Sequence, residues 1–81
     1  MKKAQIKEVV KDFLVDEFEI DANEITDKAV LTTDLGLESL DLVDVVVIIE
    51  EKFGFKVKRE DINKIKDLED LYDYIEKSTS K

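Results

Sequence analysis

The chain has 81 residues, contains neither cysteine nor histidine, and carries a formal net charge of -8 at pH 7. This length predicts a single small domain, residues 1–81, and the absent residue types exclude disulfides, thiolate metal sites and ordinary zinc sites. No apolar stretch is long enough for a signal peptide or a membrane span, so we expect a soluble, cytoplasmic protein.

The negative charge is concentrated in one part of the chain. Residues 12–51 contain thirteen acidic residues and one basic residue, Lys28, whereas the rest of the chain sums to +4. Such a region repels nucleic acid phosphates and anionic lipid, and it attracts basic protein surfaces. We therefore expect protein partners, with neither nucleic acid binding nor membrane insertion. The alternative is that the acids simply keep a small domain soluble.

An amphipathic helix is predicted over about residues 4–18, where apolar residues recur at spacings of three and four. Residues 19–38 lack a sustained period and are predicted to form a long loop, held to the core at isolated apolar positions. Loops of this length are often functional. At the other end of the chain, Asp67 is predicted to cap a last helix over about residues 68–77, followed by a frayed tail from Ser78.

The segment 40–53 is rich in valine and isoleucine, which favours a strand on propensity alone. Its periodicity and its length favour a helix. The arc predicted to face inward contains Leu42, Val43, Val46, Ile49 and Phe53, and the opposite arc contains Asp41, Asp44 and Glu51. We expect this helix to begin near Glu38 or Ser39, either of which can cap its first turn, and to end at Gly54.

A short helix of one or two turns is predicted over residues 59–65, with Ile62 and Ile65 facing inward. The predicted fold is therefore an all-α four-helix bundle with three long helices, one short third helix and a long loop between the first and second. Such a bundle leaves no room for a deep enzyme cleft. Because no helix has a second long apolar stripe, we expect a monomer.

Ser39 lies at the junction between the long loop and the second helix, in the most acidic part of the chain. A serine nucleophile needs a nearby base, and without histidine Ser39 is a poor candidate for a catalyst, so no catalytic residue is predicted. The residues alone leave two interpretations open. Ser39 is either a plain helix cap worth about 1 kcal/mol or an attachment point that another protein modifies.

Two motifs carry a resemblance to a known family. Residues 34–41 read Asp-Leu-Gly-Leu-Glu-Ser-Leu-Asp, and residues 49–54 read Ile-Glu-Glu-Lys-Phe-Gly. With their spacing, and with Asp-Tyr-Ile at residues 73–75, the chain resembles the acyl carrier protein family over nearly its whole length. The resemblance implies that a phosphopantetheinyl transferase attaches 4'-phosphopantetheine from coenzyme A to Ser39. The arm then carries acyl groups as thioesters in fatty acid, polyketide or specialised lipid biosynthesis, and the chain itself is not an enzyme.

The same resemblance implies that the helix headed by Ser39 is the recognition surface for partner enzymes. Acyl-transfer, synthase and reductase enzymes are expected to place basic patches on it, around apolar anchors. The predicted recognition residues are Glu38, Leu40, Asp41, Asp44, Val47, Ile48, Glu50 and Glu51. This placement of the acids favours docking over a purely solubilising role.

Members of the family also fold the acyl chain back between the helices. The matching candidates for an acyl pocket are Val46, Ile49, Val57, Ile62, Ile65 and Leu71. For each of them a filled core is an equally good interpretation of the sequence. The branched side chain of Ile62 is expected to crowd a long acyl chain.

Three departures from the family pattern leave the pathway open. Glu38 stands where aspartate is usual, Lys52 replaces a usual acid, and Lys58 with Arg59 occupies a place where proline and an acid are common. They do not affect the assignment of a carrier, but they leave a housekeeping and a specialised carrier equally open.

The sequence also has features of other classes of protein. A small acidic helical interaction module without modification keeps every helix signal and is the main alternative. A calcium loop starting at Asp21 lacks suitable residues at Ile25, Thr26 and Thr32, so no metal site is predicted. Paired-carboxylate catalysis is disfavoured because the acids on each helix face outward.

Overall fold

The computed structural model describes residues 2–79, with the side chain of Arg59 left aside. Helix α1 spans Lys3–Phe18, α2 spans Ser39–Phe53, α3 spans Arg59–Ile62 and α4 spans Leu68–Thr79. A short 3-10 helix, Ala22–Glu24, interrupts the long loop between α1 and α2. No β-strand occurs in the described part of the chain, and the predicted all-α fold with three long helices and one short helix is confirmed.

The helix ends follow from local backbone chemistry. Gly54 ends α2 in the left-handed region, with φ +75°, as the sequence predicts. Glu19 adopts the same region, with φ 54°, to end α1. The fourth helix is longer than predicted, because it includes Ser78 and Thr79, whose hydroxyl donates to the carbonyl of Ile75 at 2.8 Å. The remaining tail residues, 80–81, lie outside the described residues.

One hydrophobic core joins α1, α2, α4 and the long loop. Helices α1 and α4 pack directly against each other. The buried apolar residues are Ile6, Val10, Phe13 and Leu14 from α1, Val45 and Ile49 from α2, Leu68, Leu71, Tyr72 and Ile75 from α4, and Ile20, Ala29, Leu31, Leu35 and Leu37 from the loop. The loop therefore contributes more buried residues to the core than any one of the three long helices and is a structural part of the fold.

The inward arc of α2 differs from the one that the sequence predicts. Val45 is 3% exposed and lies in the core, whereas Val43, which was predicted to face inward, is 53% exposed. Apolar residues occur all round this helix, so the spacing alone does not select which arc packs inward. Contact with the rest of the core makes that selection, and the prediction for Val43 was wrong.

The long loop is held against the segment that leads into α4. The Leu31 N–H donates to the Lys66 carbonyl at 3.0 Å, and the Leu68 N–H donates to the Ala29 carbonyl at 3.0 Å. Between these two bonds, Val30 and Asp67 form an isolated antiparallel bridge. The second half of the loop is therefore fixed by backbone hydrogen bonds to a distant part of the chain. Asp67 also accepts from the Asp70 N–H at 2.9 Å, which confirms it as the cap of α4.

We expect Leu14→Ala to lower the free energy of unfolding by about 3 kcal/mol, because Leu14 is fully buried in the core and its truncation leaves a cavity. The next residue, Val15, lies on the exposed side of α1, and Val15→Ala should change that free energy by no more than about 0.5 kcal/mol. Urea denaturation followed by circular dichroism measures both values. Equal effects of the two substitutions would contradict this packing of α1.

Candidate functional site

The loop that leads to Ser39 is built around Asp34. Its carboxylate accepts a hydrogen bond from the Val30 N–H at 2.8 Å, and its own N–H donates to the Val30 carbonyl at 2.9 Å. Leu35 and Leu37 are both buried, on either side of Gly36, whose φ of +68° suits glycine. Two buried leucines thus hold the turn in the core, and the chain leaves the core immediately before Ser39.

Ser39 is the first residue of α2, and its side chain is exposed. The capping hydrogen bond at this helix start comes from Asp41, whose carboxylate accepts from the Glu38 N–H at 3.0 Å. Among the hydrogen bonds of the described residues, none involves the Ser39 hydroxyl. Glu38 is the N-cap residue of α2, which is one of the two positions that the sequence predicts, and the Asp41 carboxylate completes the cap by bonding its N–H. Ser39 takes no part in this bond, so the interpretation of Ser39 as a plain cap has no support here.

Two of the acids predicted for partner recognition make bonds within the fold. Asp41 caps α2, and the Glu50 carboxylate accepts from the Val57 N–H at 2.8 Å in a partly buried position. Glu50 therefore attaches the chain that follows Gly54 to the end of α2. The acids of this helix that remain exposed are Glu38, Asp44 and Glu51.

The exposed acids of α2 are not neutralised by basic side chains. Within residues 2–79 the ion pairs that join distant parts of the chain are Lys3 with Asp73 at 2.6 Å, Lys7 with Asp27 at 3.0 Å and Lys28 with Glu69 at 2.9 Å. All three lie on α1, α4 or the long loop. The lysine of the first pair also holds the pKa of the Asp73 carboxyl below its ordinary value. The surface of α2 is left with uncompensated negative charge.

Exposed apolar residues accompany these acids. Leu40 is 78% exposed and Val47 is 46% exposed, as predicted for apolar anchors, and Val43 lies between them in the sequence. Their spacing of three and four puts all three on one face of α2. Ile48 was predicted for the same surface but packs partly against the core. We refer to Glu38, Leu40, Val43, Asp44, Val47 and Glu51 together as the α2 face.

A small apolar cavity lies between α2, α3 and α4, with a volume of about 20 Å³. All six residues predicted for an acyl pocket line it, and so do four residues that were not predicted for that pocket. The ten lining residues are Leu31, Leu42, Val45, Val46, Ile49, Val57, Ile62, Ile65, Leu71 and Tyr74. This volume is near that needed for one water molecule, so the cavity has to widen before it can accept a chain of several carbons.

Tyr74 closes one side of this cavity. Its hydroxyl donates to the Asp61 carboxylate at 2.8 Å, and its ring centre lies 6.1 Å from that of Phe55. Burial, followed by the bond to Asp61, raises the pKa of Tyr74, while the Lys58 backbone opposes the shift. The sequence signal for Tyr74 was its helical spacing of three from Leu71, which puts both residues on one face of α4.

The structure also bears on the other classes of protein. The Asp21 carboxylate, where a calcium loop was considered, accepts from the Asn23 N–H at 2.9 Å and so caps the 3-10 helix. Across the described residues, no three acids approach one another closely enough to bind a metal ion. Between residues 2 and 79 there is also no helix whose length and apolar character would let it cross a membrane.

The chain is a helical bundle with an exposed serine at the start of an acidic helix, and the comparisons with known proteins show its class, that of carriers of a phosphopantetheine arm. The family model described as "Phosphopantetheine attachment site" matches residues 8–75. The chain is 40% identical over 75 residues to an acyl carrier protein of Thermotoga maritima, with 93% of each chain covered. It is 38% identical over 72 residues to an acyl carrier protein of Solidesulfovibrio magneticus, with 89% of this chain and 92% of the relative covered.

The chain therefore belongs to the acyl carrier protein family. It is a non-catalytic carrier, its cofactor is 4'-phosphopantetheine, and its partners include a phosphopantetheinyl transferase and biosynthetic enzymes. The start of α2 fits such a group, since it offers an exposed hydroxyl and the free N–H groups of a helix N-terminus.

We expect Asp41→Ala to lower the free energy of unfolding by about 1 kcal/mol, because the Glu38 N–H loses its partner and α2 loses its cap. Asp44→Ala removes the same charge from an exposed position three residues later, and it should change the free energy of unfolding by less than about 0.5 kcal/mol. Thermal or urea unfolding of the two variants side by side measures the difference. A smaller loss for Asp41→Ala than for Asp44→Ala would show that the cap contributes nothing.

Proposed function

We propose that Ser39 is the residue that receives 4'-phosphopantetheine, and that residues 1–81 act as one carrier domain in fatty acid or related biosynthesis. The main support for this proposal is the Ser39 hydroxyl, which is exposed and has no hydrogen-bond partner among the described residues. Ser39 also lies within the part of the chain that the family model matches. In the attachment step the Ser39 oxygen forms a bond to the phosphorus of the arm, the nucleotide part of coenzyme A leaves, and the serine proton goes to a base. Because this chain has no histidine, a separate transferase has to supply that base.

The surroundings of Ser39 suit an anchor better than a reactive group. The N-terminus of α2 favours the negative phosphate of the arm through its free N–H groups and its dipole. Asp34, through Val30, and the buried Leu35 and Leu37 hold the preceding loop, so the arm starts from a fixed point. A fixed starting point limits the positions that the thioester can reach, which favours delivery to a partner's active site.

The α2 face supports a docking role in this carrier function. It combines three exposed aliphatic side chains with acids that no basic residue of the described chain neutralises. Basic patches of the transferase and of acyl-transfer, synthase and reductase enzymes complement it, and their association should weaken as salt increases. A carrier that visits several enzymes in turn needs this kind of brief contact, in the cytoplasm and as a monomer.

The apolar cavity supports shelter for the acyl chain. Burial of each methylene is worth about 0.8 kcal/mol, so six carbons would gain roughly 5 kcal/mol before any cost of widening the cavity. Ile62 and Val57 lie on the side of α3, which is the shortest helix. The gain from a long chain is enough to displace such an element, whereas that from a two-carbon chain is not.

The attachment site is tested by incubating the chain with coenzyme A and a phosphopantetheinyl transferase, followed by mass spectrometry of the intact protein. We expect one arm on the chain without substitutions and none on Ser39→Ala. The control is Ser78→Ala, which removes a hydroxyl from α4 and should accept one arm as before. A chain that stays unmodified in every case would favour the acidic interaction module instead.

The docking role is tested by reversing charge at the two most exposed acidic positions within α2, with Asp44→Lys and Glu51→Lys combined. We expect kcat/KM of the transferase to fall about tenfold or more at low salt, because electrostatic steering is lost. The double variant Glu8→Lys and Asp12→Lys makes the same change in net charge at exposed positions of α1 and should stay within about twofold of the unmodified sequence. Equal losses in both variants would mean that total charge, and not the α2 face, controls the association. Asp41 is left intact because it caps the helix.

A further inference from the structure

The walls of the apolar cavity are of two kinds. Leu31, Val45, Ile49 and Leu71 belong to the buried core and cannot move without disrupting it. Ile62 and Ile65, on the opposite side, belong to α3 and its C-terminal extension and are only partly buried. Since the cavity has to widen to accept an acyl chain, the side formed by α3 is the one that can yield.

The same side separates the cavity from the outside. Ile62 and Ile65 line both the cavity and an open groove of about 310 Å³, which also includes Thr32 and Lys66. The Leu42 side chain, one turn after Ser39, is shared by the two spaces as well. An outward shift of α3 would therefore join the cavity to a groove that opens beside the helix carrying the arm.

The hold on α3 is weak except at one point. A four-residue helix is not stable alone, and its backbone bonds stay within the segment, as from the Asp61 N–H to the Lys58 carbonyl at 3.0 Å. Among the described side chains, Tyr74 is the one whose hydroxyl joins α3 to another helix, through its bond to Asp61 at 2.8 Å and a further interaction with the Lys58 backbone at the start of α3. The Tyr74 ring also contacts Phe55, with 6.1 Å between the two ring centres, and this contact does not involve the hydroxyl.

We propose that the Tyr74–Asp61 hydrogen bond is a latch that holds α3 against the cavity, and that it must open for an acyl chain to enter. The proposal rests on the proposed carrier function and adds a positioning role for Tyr74. In the sheltered state α3 is displaced outward and the bond is broken, whereas in the exposed state the bond is intact. Removing the bond therefore favours shelter, by about fivefold for a hydrogen bond of ordinary strength.

The test uses the arm-bearing protein loaded with an acetyl or an octanoyl group, as the unmodified sequence and as Tyr74→Phe. The rate at which neutral hydroxylamine cleaves the thioester reports its exposure. We expect Tyr74→Phe to slow the cleavage of the octanoyl thioester by up to about fivefold. The acetyl thioester should be unchanged, because burial of two carbons gains too little to widen the cavity. Asp61→Asn, which keeps a weaker acceptor, should give a smaller effect in the same direction.

The matched control is Tyr72→Phe. Tyr72 is buried on the side of α4 that faces α1, with Lys7 located 5.7 Å from its ring centre, and it does not line the cavity. The unfolding temperature of each variant without an acyl group measures any general loss of stability. A general loss of stability would affect the cleavage of octanoyl and acetyl thioesters alike, so it cannot explain an effect on octanoyl alone.

Each result has a separate meaning. Octanoyl cleavage that is unchanged or faster in Tyr74→Phe, or equally slowed in Tyr72→Phe, overturns the latch and leaves the carrier function standing. Octanoyl and acetyl groups that are cleaved at the same rate in the unmodified sequence overturn shelter, and the latch with it. Failure to attach the arm at all overturns the proposed attachment at Ser39.

Discussion

The attachment of the long loop to the start of α4 is the constraint on which the rest of the structure depends. Backbone bonds on either side of the Val30–Asp67 bridge fix the second half of the loop, and Leu31, Leu35 and Leu37 bury their side chains beside it. These contacts decide where the chain leaves the core and therefore where α2 begins. Without them Ser39 would lie on a flexible connection, and its distance from the cavity and from the α2 face would not be defined.

The charged residues form two groups, those that bond within the fold and those that remain exposed for the proposed docking role. Lysines on α1 and the loop pair with acids around α4, which offsets repulsion where the helices pack. On α2, Asp41 and Glu50 are used within the fold, while Asp44 and Glu51 remain exposed. Unpaired acids on a single helix reduce stability through self-repulsion, and a basic partner on the α2 face would relieve that repulsion in the proposed docking role.

Most of the fold follows from the sequence because its signals are local. Helical spacing, Gly54 and Asp67 set the helix bounds, and all six residues named for an acyl pocket line one cavity. The inward arc of α2 could not be obtained in this way. Val43 and Val45 are both aliphatic, so the spacing of apolar residues does not indicate which of them faces the core. The capping role of Asp41 and the bond from Glu50 to Val57 were also missed. Each depends on where a neighbouring backbone N–H lies, which is a property of the folded chain.

The cavity and α3 fit the proposal that this small helical core shelters a cargo without a permanent space for it. A large empty cavity would cost stability in every unloaded molecule, whereas a cavity near the volume of one water costs little. The space for an acyl chain then has to come from displacing one of the elements that line the cavity. The element with the lowest free-energy cost of displacement is α3, the shortest helix, which has few contacts outside its own segment. In the proposed latch, the half built from α1, α4 and the loop keeps Ser39 in place while α3 yields. The proposal thereby assigns stability and cargo capacity to different parts of one core, so that a change in one does not require a change in the other.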